Sequence, residues 1–329
     1  MKQQLTGIHH VTAITSSAEK IYDFFTNILG LRLVKKTINQ DDINTYHLFF
    51  ADDKGTAGTD MTFFDFKGIQ KAQHGTNDIS RTGFRVPTDA ALAYWLKRFD
   101  HYQVKHTEIK TLFGRKTIYF YDFDEQPYAL FSDENVAGVA SGTPWLKGPV
   151  PNEFGITGLG PIFLTVNQFN SMHSILTQVL NMRYVTKENA FHLFEMGEGG
   201  NGASVIVEEN MLLPLAYQGF GGVHHVAFRV PDRKTLNEWE QAFNRLGAPN
   251  SGYVDRFYFE SLYTRLYRNI LFELATDEPG FIDDEETYEI LGEKLALPPK
   301  FRNQRAYVEG VVRHIDTVRS TKTFDKEYL

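Results

Sequence analysis

Two pairs of adjacent histidines give this sequence its most chemically suggestive feature. His9 and His10 lie in "TGIHHVTA", and His224 and His225 lie in "GGVHHVAF". Only 11 histidines occur in the 329 residues, so a near-identical doublet at two distant places calls for an explanation. One carboxylate, Glu273, lies inside the apolar run "ILFELAT". Burying a carboxylate in such a run is costly unless it is paired or binds a metal ion.

Two histidines and one carboxylate form the ligand set of non-haem Fe(II) oxygenases, which leaves coordination positions open for substrate and dioxygen. One histidine from each pair, together with Glu273, would supply this set. Glu208, in "SVIVEEN", is a competing carboxylate, but its place beside Glu209 at the end of a run favours exposure to solvent. The other histidines occur singly and are interpreted as structural or surface residues: His47, His74, His101, His106, His173, His192 and His314.

The elements that must position these residues follow a fourfold pattern. Four segments, numbered here as modules one to four, each run from a glycine or turn through a β-rich stretch into a helix start: 6–25, 82–96, 159–176 and 221–243. Each contains a candidate N-cap residue: Ser16 or Ser17, Thr88, Asn167 and Asp232. Three extended runs follow the helix, at 31–38, 45–51 and 60–66 in module one and at 252–259, 261–267 and 270–276 in module four. The pattern predicts four βαβββ units, with an unrelated α+β fold of chance similarity as the alternative.

Composition excludes several classes of function. The net charge is −7 and no block of Lys or Arg occurs, which argues against nucleic acid or an anionic membrane as the main partner. The chain has no cysteine, so disulfides, thiolate nucleophiles and cysteine-ligated metal sites are excluded. Its start has no apolar signal segment and no run is long enough for a membrane helix, so we expect a cytoplasmic protein. Whether it forms a homo-oligomer is left open.

The repeats, with "GIHHVTAIT", "LGLRLVKKTINQDD", "TYHLFFAD", "GGVHHVAFRVPD" and "ILFELATDEPGF", resemble the vicinal oxygen chelate superfamily. Within it they are similar to bacterial ring-cleaving dioxygenases of the methylhydroquinone and 2,6-dichlorohydroquinone type, over nearly all of residues 5–300. The resemblance implies an α+β fold whose four βαβββ modules form two barrel-like halves. We expect an N-terminal domain (1–134), a linker (135–155), a C-terminal domain (156–280) and a C-terminal extension (281–329).

The resemblance also implies the site. The family's metal ligands are two histidines and a glutamate, and by motif these match the second histidine of each pair and the strand carboxylate: His10, His225 and Glu273. The same mapping implies catalytic or substrate-contacting roles for His9, Thr12, His224, Arg256 and Tyr263. Because side chains alternate faces along a regular strand, bringing both histidines of a pair to one site requires a bulge or a strong local twist.

Module three begins "GLGPIFL", without a histidine. This predicts that modules one and four pair around the metal, while modules two and three form a metal-free half. Phe84 and either Ile162 or Phe163 would stand where histidines might otherwise occur.

The expected function is an Fe(II)-dependent dioxygenase, with Mn(II) as the alternative metal, that opens the ring of a hydroquinone-type or catechol-type diol with O₂. No organic cofactor is implied. One alternative is a glyoxalase-type metal-dependent isomerase or lyase, which typically uses four protein ligands. A carboxylate in module one equivalent to Glu273 would favour it, but "DMTFFDF" offers Phe64 there. The other alternative is a non-catalytic, ligand-sequestering resistance protein of the same fold, against which the complete ligand set counts.

Overall fold

The computed structural model describes residues 4–329, and it contains the four βαβββ modules in chain order. Modules one and two comprise β1 (Ile8–Ile14), α1 (Ala18–Asp23), β2 (Arg32–Asn39), β3 (Asp42–Ala51), β4 (Asp60–Phe64), β5 (Asp78–Val86), α2 (Asp89–His101), β6 (Lys110–Leu112), β7 (Arg115–Tyr121) and β8 (Pro127–Ser132). Modules three and four comprise β9 (Gly158–Val166), α3 (Phe169–Ser174), β10 (Arg183–Glu188), β11 (Phe191–Glu195), β12 (Ser204–Glu209), β13 (Gly222–Val230), α4 (Arg233–Leu246), β14 (Asn250–Asp255), β15 (Glu260–Tyr267) and β16 (Ile270–Thr276). The fold class is α+β, as the sequence predicts.

Side-chain caps start three of the four module helices. The side chains of Ser17, Thr88 and Asp232 each accept a hydrogen bond from the backbone N–H three residues later. In module three the prediction is wrong, because Gln168 rather than Asn167 occupies the N-cap position and gives no side-chain cap. The side-chain oxygen of Asn167 instead accepts a hydrogen bond from the hydroxyl of Tyr267. Both α1 and α3 continue into a π-helical turn.

The strands form two eight-stranded sheets that pair the modules as predicted. One sheet has the order β14-β15-β16-β13-β1-β4-β3-β2 and joins module four to module one. The other has the order β10-β11-β12-β9-β5-β8-β7-β6 and joins module three to module two. At each junction the first strands of the two modules, β1 with β13 and β5 with β9, are antiparallel. Each sheet thus combines strands from both halves of the chain, and the predicted domain boundaries stay a prediction.

Buried apolar side chains pack against the sheet of modules two and three. Phe84 and Ile162 are fully buried in the main hydrophobic core. Phe163 belongs to a smaller buried cluster with Phe131 and Ile206. Among residues 4–329, the only group of three or more His, Cys, Asp or Glu side chains close enough to hold a metal ion lies in the other sheet.

The segment after β16 folds back onto module one. It contains two 3₁₀ turns, Tyr288–Ile290 and Pro299–Gln304, and the helix α5 (Arg305–Val311). The guanidinium of Arg319 donates to the carbonyl of Leu33, and the ammonium of buried Lys35 lies 2.8 Å from the carboxylate of Glu286. Strand β2 is therefore covered by this segment. Within the described part of the chain, no helix has the length and apolar character of a membrane span.

Candidate metal centre

Two irregularities in strand pairing bring both histidines of each doublet to one place. In the β1–β13 ladder the register shifts between Ile8 and His10, so that His9 is the extra residue. It shifts again beyond the pair formed by Thr12 and His225, and His224 lies at this second shift. A bulge lets neighbouring side chains leave the strict alternation of a strand. The requirement set by the sequence is met twice, once in each module.

The second histidine of each pair and the strand carboxylate converge. Nε2 of His10 lies 3.1 Å from Oε2 of Glu273, and Nε2 of His225 lies 3.0 Å from the same oxygen. The two Nε2 atoms are 3.3 Å apart. His10, His225 and Glu273 are all buried, with no exposed surface at Glu273. The three atoms form a compact triangle on adjoining strands.

Hydrogen bonds behind the triangle fix which imidazole nitrogen faces it. Nε2 of His9 lies 2.9 Å from the carbonyl oxygen of Thr276, which can only accept, so this nitrogen carries the proton. Nδ1 of His9 is then an acceptor for the Nδ1–H of His10, 2.9 Å away, because burial and the nearby His10 lower the pKa of His9 to about 3. His10 therefore presents a lone pair at Nε2. Such a partner fixes the tautomer of a metal-binding histidine.

The same relation holds in module four. Nδ1 of His224 lies 2.8 Å from Nδ1 of His225, and burial lowers the pKa of His224 to about 3. When His225 presents its Nε2 lone pair to the triangle, its Nδ1–H donates to His224. The Nε2–H of His224 then remains as a donor at the cavity.

The donor set fits a divalent cation. Oε1 of Glu273 accepts a hydrogen bond from the hydroxyl of Ser261 at 2.5 Å, whereas Oε2 is buried without a hydrogen-bond partner among the described residues. Burial works to raise the pKa of Glu273, whereas charge and hydrogen bonds from protonated His10 and His225 would hold it well below its usual value. When both histidines present lone pairs instead, a bound cation would take the place of those protons opposite the carboxylate. A single proton shared among these three atoms could form a hydrogen bond along only one of the three close contacts. Ligand atoms at about 2.1 Å from one ion and at right angles lie about 3 Å apart, which matches the observed separations.

A cavity of about 440 Å³ opens onto His10, His224 and His225. Aromatic rings make up much of its wall: Phe49, Phe64, Phe66, Tyr258, Phe259 and Tyr263. Its size and mostly apolar lining suit a small aromatic molecule.

Arg256 and Tyr263 occupy the polar side of this cavity. Nε of Arg256 donates to the hydroxyl of Tyr263 at 3.0 Å, and its two Nη atoms donate to Asp41 at 3.1 and 2.8 Å. Burial raises the pKa of Tyr263, so its phenol keeps its proton. Arg256 lies in the turn after β14 rather than on a strand, which corrects that part of the prediction. Asp41, in the β2–β3 turn, was not singled out by sequence analysis because a turn aspartate has an ordinary local role.

Thr12 and His47 complete the surroundings. The hydroxyl of Thr12 lies 3.0 Å from Nε2 of His225 and 2.8 Å from the hydroxyl of Thr62. His47, interpreted from sequence as structural or surface, lines the cavity instead. Strand β3 carries it toward the site because its neighbour β4 pairs with β1, a register the sequence does not reveal.

Two carboxylate questions raised by the sequence are answered by strand register. Glu208 is half-buried in β12 of the other sheet and does not belong to the His–His–Glu group. In module four Glu273 opposes Ala227, two residues after His225, whereas in module one Thr62 opposes Thr12, two residues after His10. The module-one equivalent of Glu273 is therefore Thr62 and not Phe64. Neither residue is a carboxylate.

Comparisons with known proteins agree with this architecture. Residues 7–131 match the Glyoxalase/Bleomycin resistance protein/Dioxygenase superfamily. A protein of Bacillus subtilis (strain 168) named "Putative ring-cleaving dioxygenase MhqA" is 42% identical over 95% of this chain and 99% of its own length. A chlorohydroquinone/hydroquinone 1,2-dioxygenase of Sphingobium indicum is 29% identical over 91% of this chain and 94% of its own.

Among solved structures, a "putative dioxygenase" of Bacillus subtilis superposes with a TM-score of 0.88 at 31% identity, covering 96% of this chain and 99% of the other. Near-complete coverage in both directions means that the likeness extends over all four modules and not one repeat alone. The chain belongs to the ring-cleaving dioxygenase family of the glyoxalase/bleomycin resistance protein/dioxygenase superfamily.

Proposed function

We propose that this protein is an Fe(II)-dependent dioxygenase that opens the ring of a hydroquinone-type aromatic diol with O₂. The observation that carries the proposal is the convergence of His10, His225 and Glu273 at the end of an aromatic-lined cavity. Two neutral imidazoles and one carboxylate leave a divalent iron with a net positive charge and open positions. Mn(II) is the alternative metal for the same ligands.

The substrate class is supported by the cavity and by the relatives. Flat aromatic walls at Phe49, Phe64 and Phe259 suit an aromatic ring, and the polar side at Arg256 and Tyr263 suits a ring hydroxyl. Relatives named as ring-cleaving and hydroquinone dioxygenases cover nearly the whole chain. A catechol-type diol is the alternative within this class.

In this proposal His10, His225 and Glu273 hold the iron, which when bound supplies the redox chemistry between diol and dioxygen. The phenyl walls hold the ring and exclude water from the reacting atoms. The Nε2–H of His224 and the hydroxyl of Tyr263 are hydrogen-bond donors for anionic oxygen in the cavity. Tyr263 directs its proton away from Arg256, because Nε of Arg256 donates to the phenolic oxygen. Donors held in place before the reaction stabilise negative charge as it forms.

Two other functions fit the fold less well. A four-ligand isomerase would use a carboxylate where Thr62 stands, and a sequestering protein would have no use for a charged carboxylate beneath two imidazoles.

We also propose a cytoplasmic location. We keep the division into residues 1–134 and 156–280, joined by a linker, as a description of the two module pairs along the chain.

Anaerobic loading with Fe(II), followed by an oxygen-electrode screen over substituted hydroquinones and catechols, tests the proposal. We expect about one iron per chain, O₂ uptake with at least one hydroquinone, and loss of the absorbance of the aromatic ring. His225→Ala, prepared in parallel, controls for O₂ uptake by free iron. Tight binding of iron without O₂ uptake on any diol, or isomerisation without O₂, would contradict the proposal.

A further inference from the structure

A hydrogen-bonded series of two hydroxyls and one imidazole leads from the metal centre to the cavity wall. Its first member, the hydroxyl of Thr12, lies 3.0 Å from Nε2 of His225. The hydroxyl of Thr62 lies 2.8 Å further on, and Nε2 of His47 lies 2.9 Å beyond that. Thr12 and Thr62 have no exposed surface, so bulk water does not replace either hydroxyl.

The position of Thr62 in the sheet indicates that this hydrogen-bonded series has a functional role. Thr62 occupies in module one the register position that Glu273 occupies in module four. The fold thus places a ligand on one side of the centre and a hydroxyl on the other. A hydroxyl group is both donor and acceptor, so it can pass a proton on, which a methyl group cannot.

His47, at the far end of this hydrogen-bonded series, is suited to exchange protons with the cavity. The ring of His47 packs between Phe49 and Phe64, with centroid distances of 4.0 and 4.4 Å, and it lines the cavity. Its Nε2 faces Thr62, and no other hydrogen bond holds the ring within the described residues. Burial lowers the pKa of His47 well below its usual value, so the ring does not retain a proton that it receives.

We propose that Thr12, Thr62 and His47 form a proton relay between the metal centre and the cavity. The proposal rests on the function proposed above. Because a bound metal uses the single lone pair of His225 Nε2, the hydroxyl of Thr12 can no longer donate there and donates to Thr62, which leaves its oxygen open to a new hydrogen-bond partner. A hydroxyl of the diol at the centre is that partner, and it must lose a proton to bind as an anion.

The transfer conserves every proton. The O–H bond of the diol breaks as Thr12 accepts its proton, and Thr12 passes its own proton to the oxygen of Thr62. Thr62 passes its proton to Nε2 of His47, which releases the proton on Nδ1 to water in the cavity. Both threonines end with one proton each, and the diol oxygen keeps the electron pair. His47 returns to neutral as the opposite tautomer.

Thr62→Val and Thr62→Ser test the relay as a matched pair, because valine keeps the shape without the hydroxyl and serine keeps the hydroxyl. Each is loaded anaerobically with Fe(II), and proton release on mixing with a hydroquinone is followed by stopped flow with a pH indicator. We expect Thr62→Val to keep its iron but to release the proton about 10²-fold more slowly, the scale of a lost proton-transfer group. Thr62→Ser should release it within a few-fold of the wild-type rate.

His47→Gln extends the test, since an amide can hydrogen-bond to Thr62 but cannot accept one proton and release another. It should slow proton release as Thr62→Val does. Proton release in Thr62→Val at the wild-type rate, or no proton release in the wild-type protein, overturns the relay. Wild-type protein that binds iron and releases the proton but consumes no O₂ counts against the proposed function, while the variants still decide the relay.

Discussion

Replacing Glu273 by glutamine should stabilise the metal-free protein and abolish its stabilisation by Fe(II). This combination is specific to a metal-binding carboxylate. The variant keeps the shape of the side chain and removes its charge. The amide oxygen can accept from Ser261 as Oε1 does now, at 2.5 Å. The amide nitrogen then takes the place of Oε2, 3.1 Å from Nε2 of His10 and 3.0 Å from Nε2 of His225. Its two N–H donors face the lone pairs of His10 and His225, and His225 can accept from the amide in place of the Thr12 hydroxyl, which keeps its hydrogen bond to Thr62.

The metal-free protein should therefore become more stable. In the wild-type protein a buried carboxylate oxygen without a hydrogen-bond partner faces two imidazoles. An unsatisfied buried polar group costs roughly 1–3 kcal/mol, and more when charged. Glu273→Gln removes this cost, so we expect the free energy of unfolding of the metal-free protein to rise by about 1–3 kcal/mol.

Metal-dependent stabilisation should disappear at the same time. A metal ion present at about 100 times its dissociation constant stabilises the folded state by about 2.7 kcal/mol. The variant lacks the negative charge that offsets the cation, and its N–H donors occupy the two lone pairs. Unfolding should be followed by circular dichroism in urea, anaerobically, with chelator and with Fe(II). Glu208→Gln, which changes a half-buried carboxylate in β12 of the other sheet, is the control that should leave the Fe(II) effect unchanged.

A Glu273→Gln protein that Fe(II) stabilises as much as the wild type would refute the assignment of Glu273 as a ligand. A metal-free variant less stable than the metal-free wild type would refute the tautomers assigned to the two histidines. The two outcomes are independent, so each half of the reasoning can fail alone.

Other substitutions separate ligands from supporting residues. The second histidine of each doublet should be essential for iron, and the first should be less so. Alanine variants should purify with little iron at His10 and His225, but lose only about 10–100-fold in iron affinity or activity at His9 and His224, by iron analysis and O₂ uptake. A fragment of residues 157–329 lacks β1 and should not bind Fe(II) tightly, which equilibrium dialysis would check. Arg319→Ala removes the hydrogen bond from this buried guanidinium to the carbonyl of Leu33 and should cost about 1–3 kcal/mol in urea unfolding, with iron content unchanged.

The module order and a candidate site of one histidine from each doublet with Glu273 could be predicted because they leave local marks in the sequence. The choice of the second histidine in each doublet came from the family resemblance. The glycine, extended run and helix start recur four times, and only two of the four first strands carry histidines. A carboxylate between Phe272 and Leu274 is visible as an exception within its own strand. These signals need no knowledge of which strands become neighbours.

Thr62, His47 and the far wall of the cavity left no such mark. Thr62 is an ordinary strand threonine, and His47 is one of several single histidines. What gives them a role is the parallel pairing of β4 with β1 and the antiparallel pairing of β3 with β4. A shift of two residues in that register exchanges Thr62 for Phe64, which is why the counterpart of Glu273 was misassigned. Register depends on packing across the whole sheet and not on the local sequence.

The doubled histidine itself has a physical explanation. A bulge in each central strand turns two neighbouring residues to the same side, so one imidazole can face the centre while the one before it lies behind. The rear imidazole accepts the Nδ1 proton of the front one, at 2.9 Å in module one and 2.8 Å in module four. That hydrogen bond leaves the front Nε2 as a lone pair, because burial lowers the pKa of the rear rings, His9 and His224, and keeps them neutral. One histidine in each doublet can bind a cation because the other determines its tautomer. The same arrangement occurs in β1 and in β13, the two strands that join modules one and four.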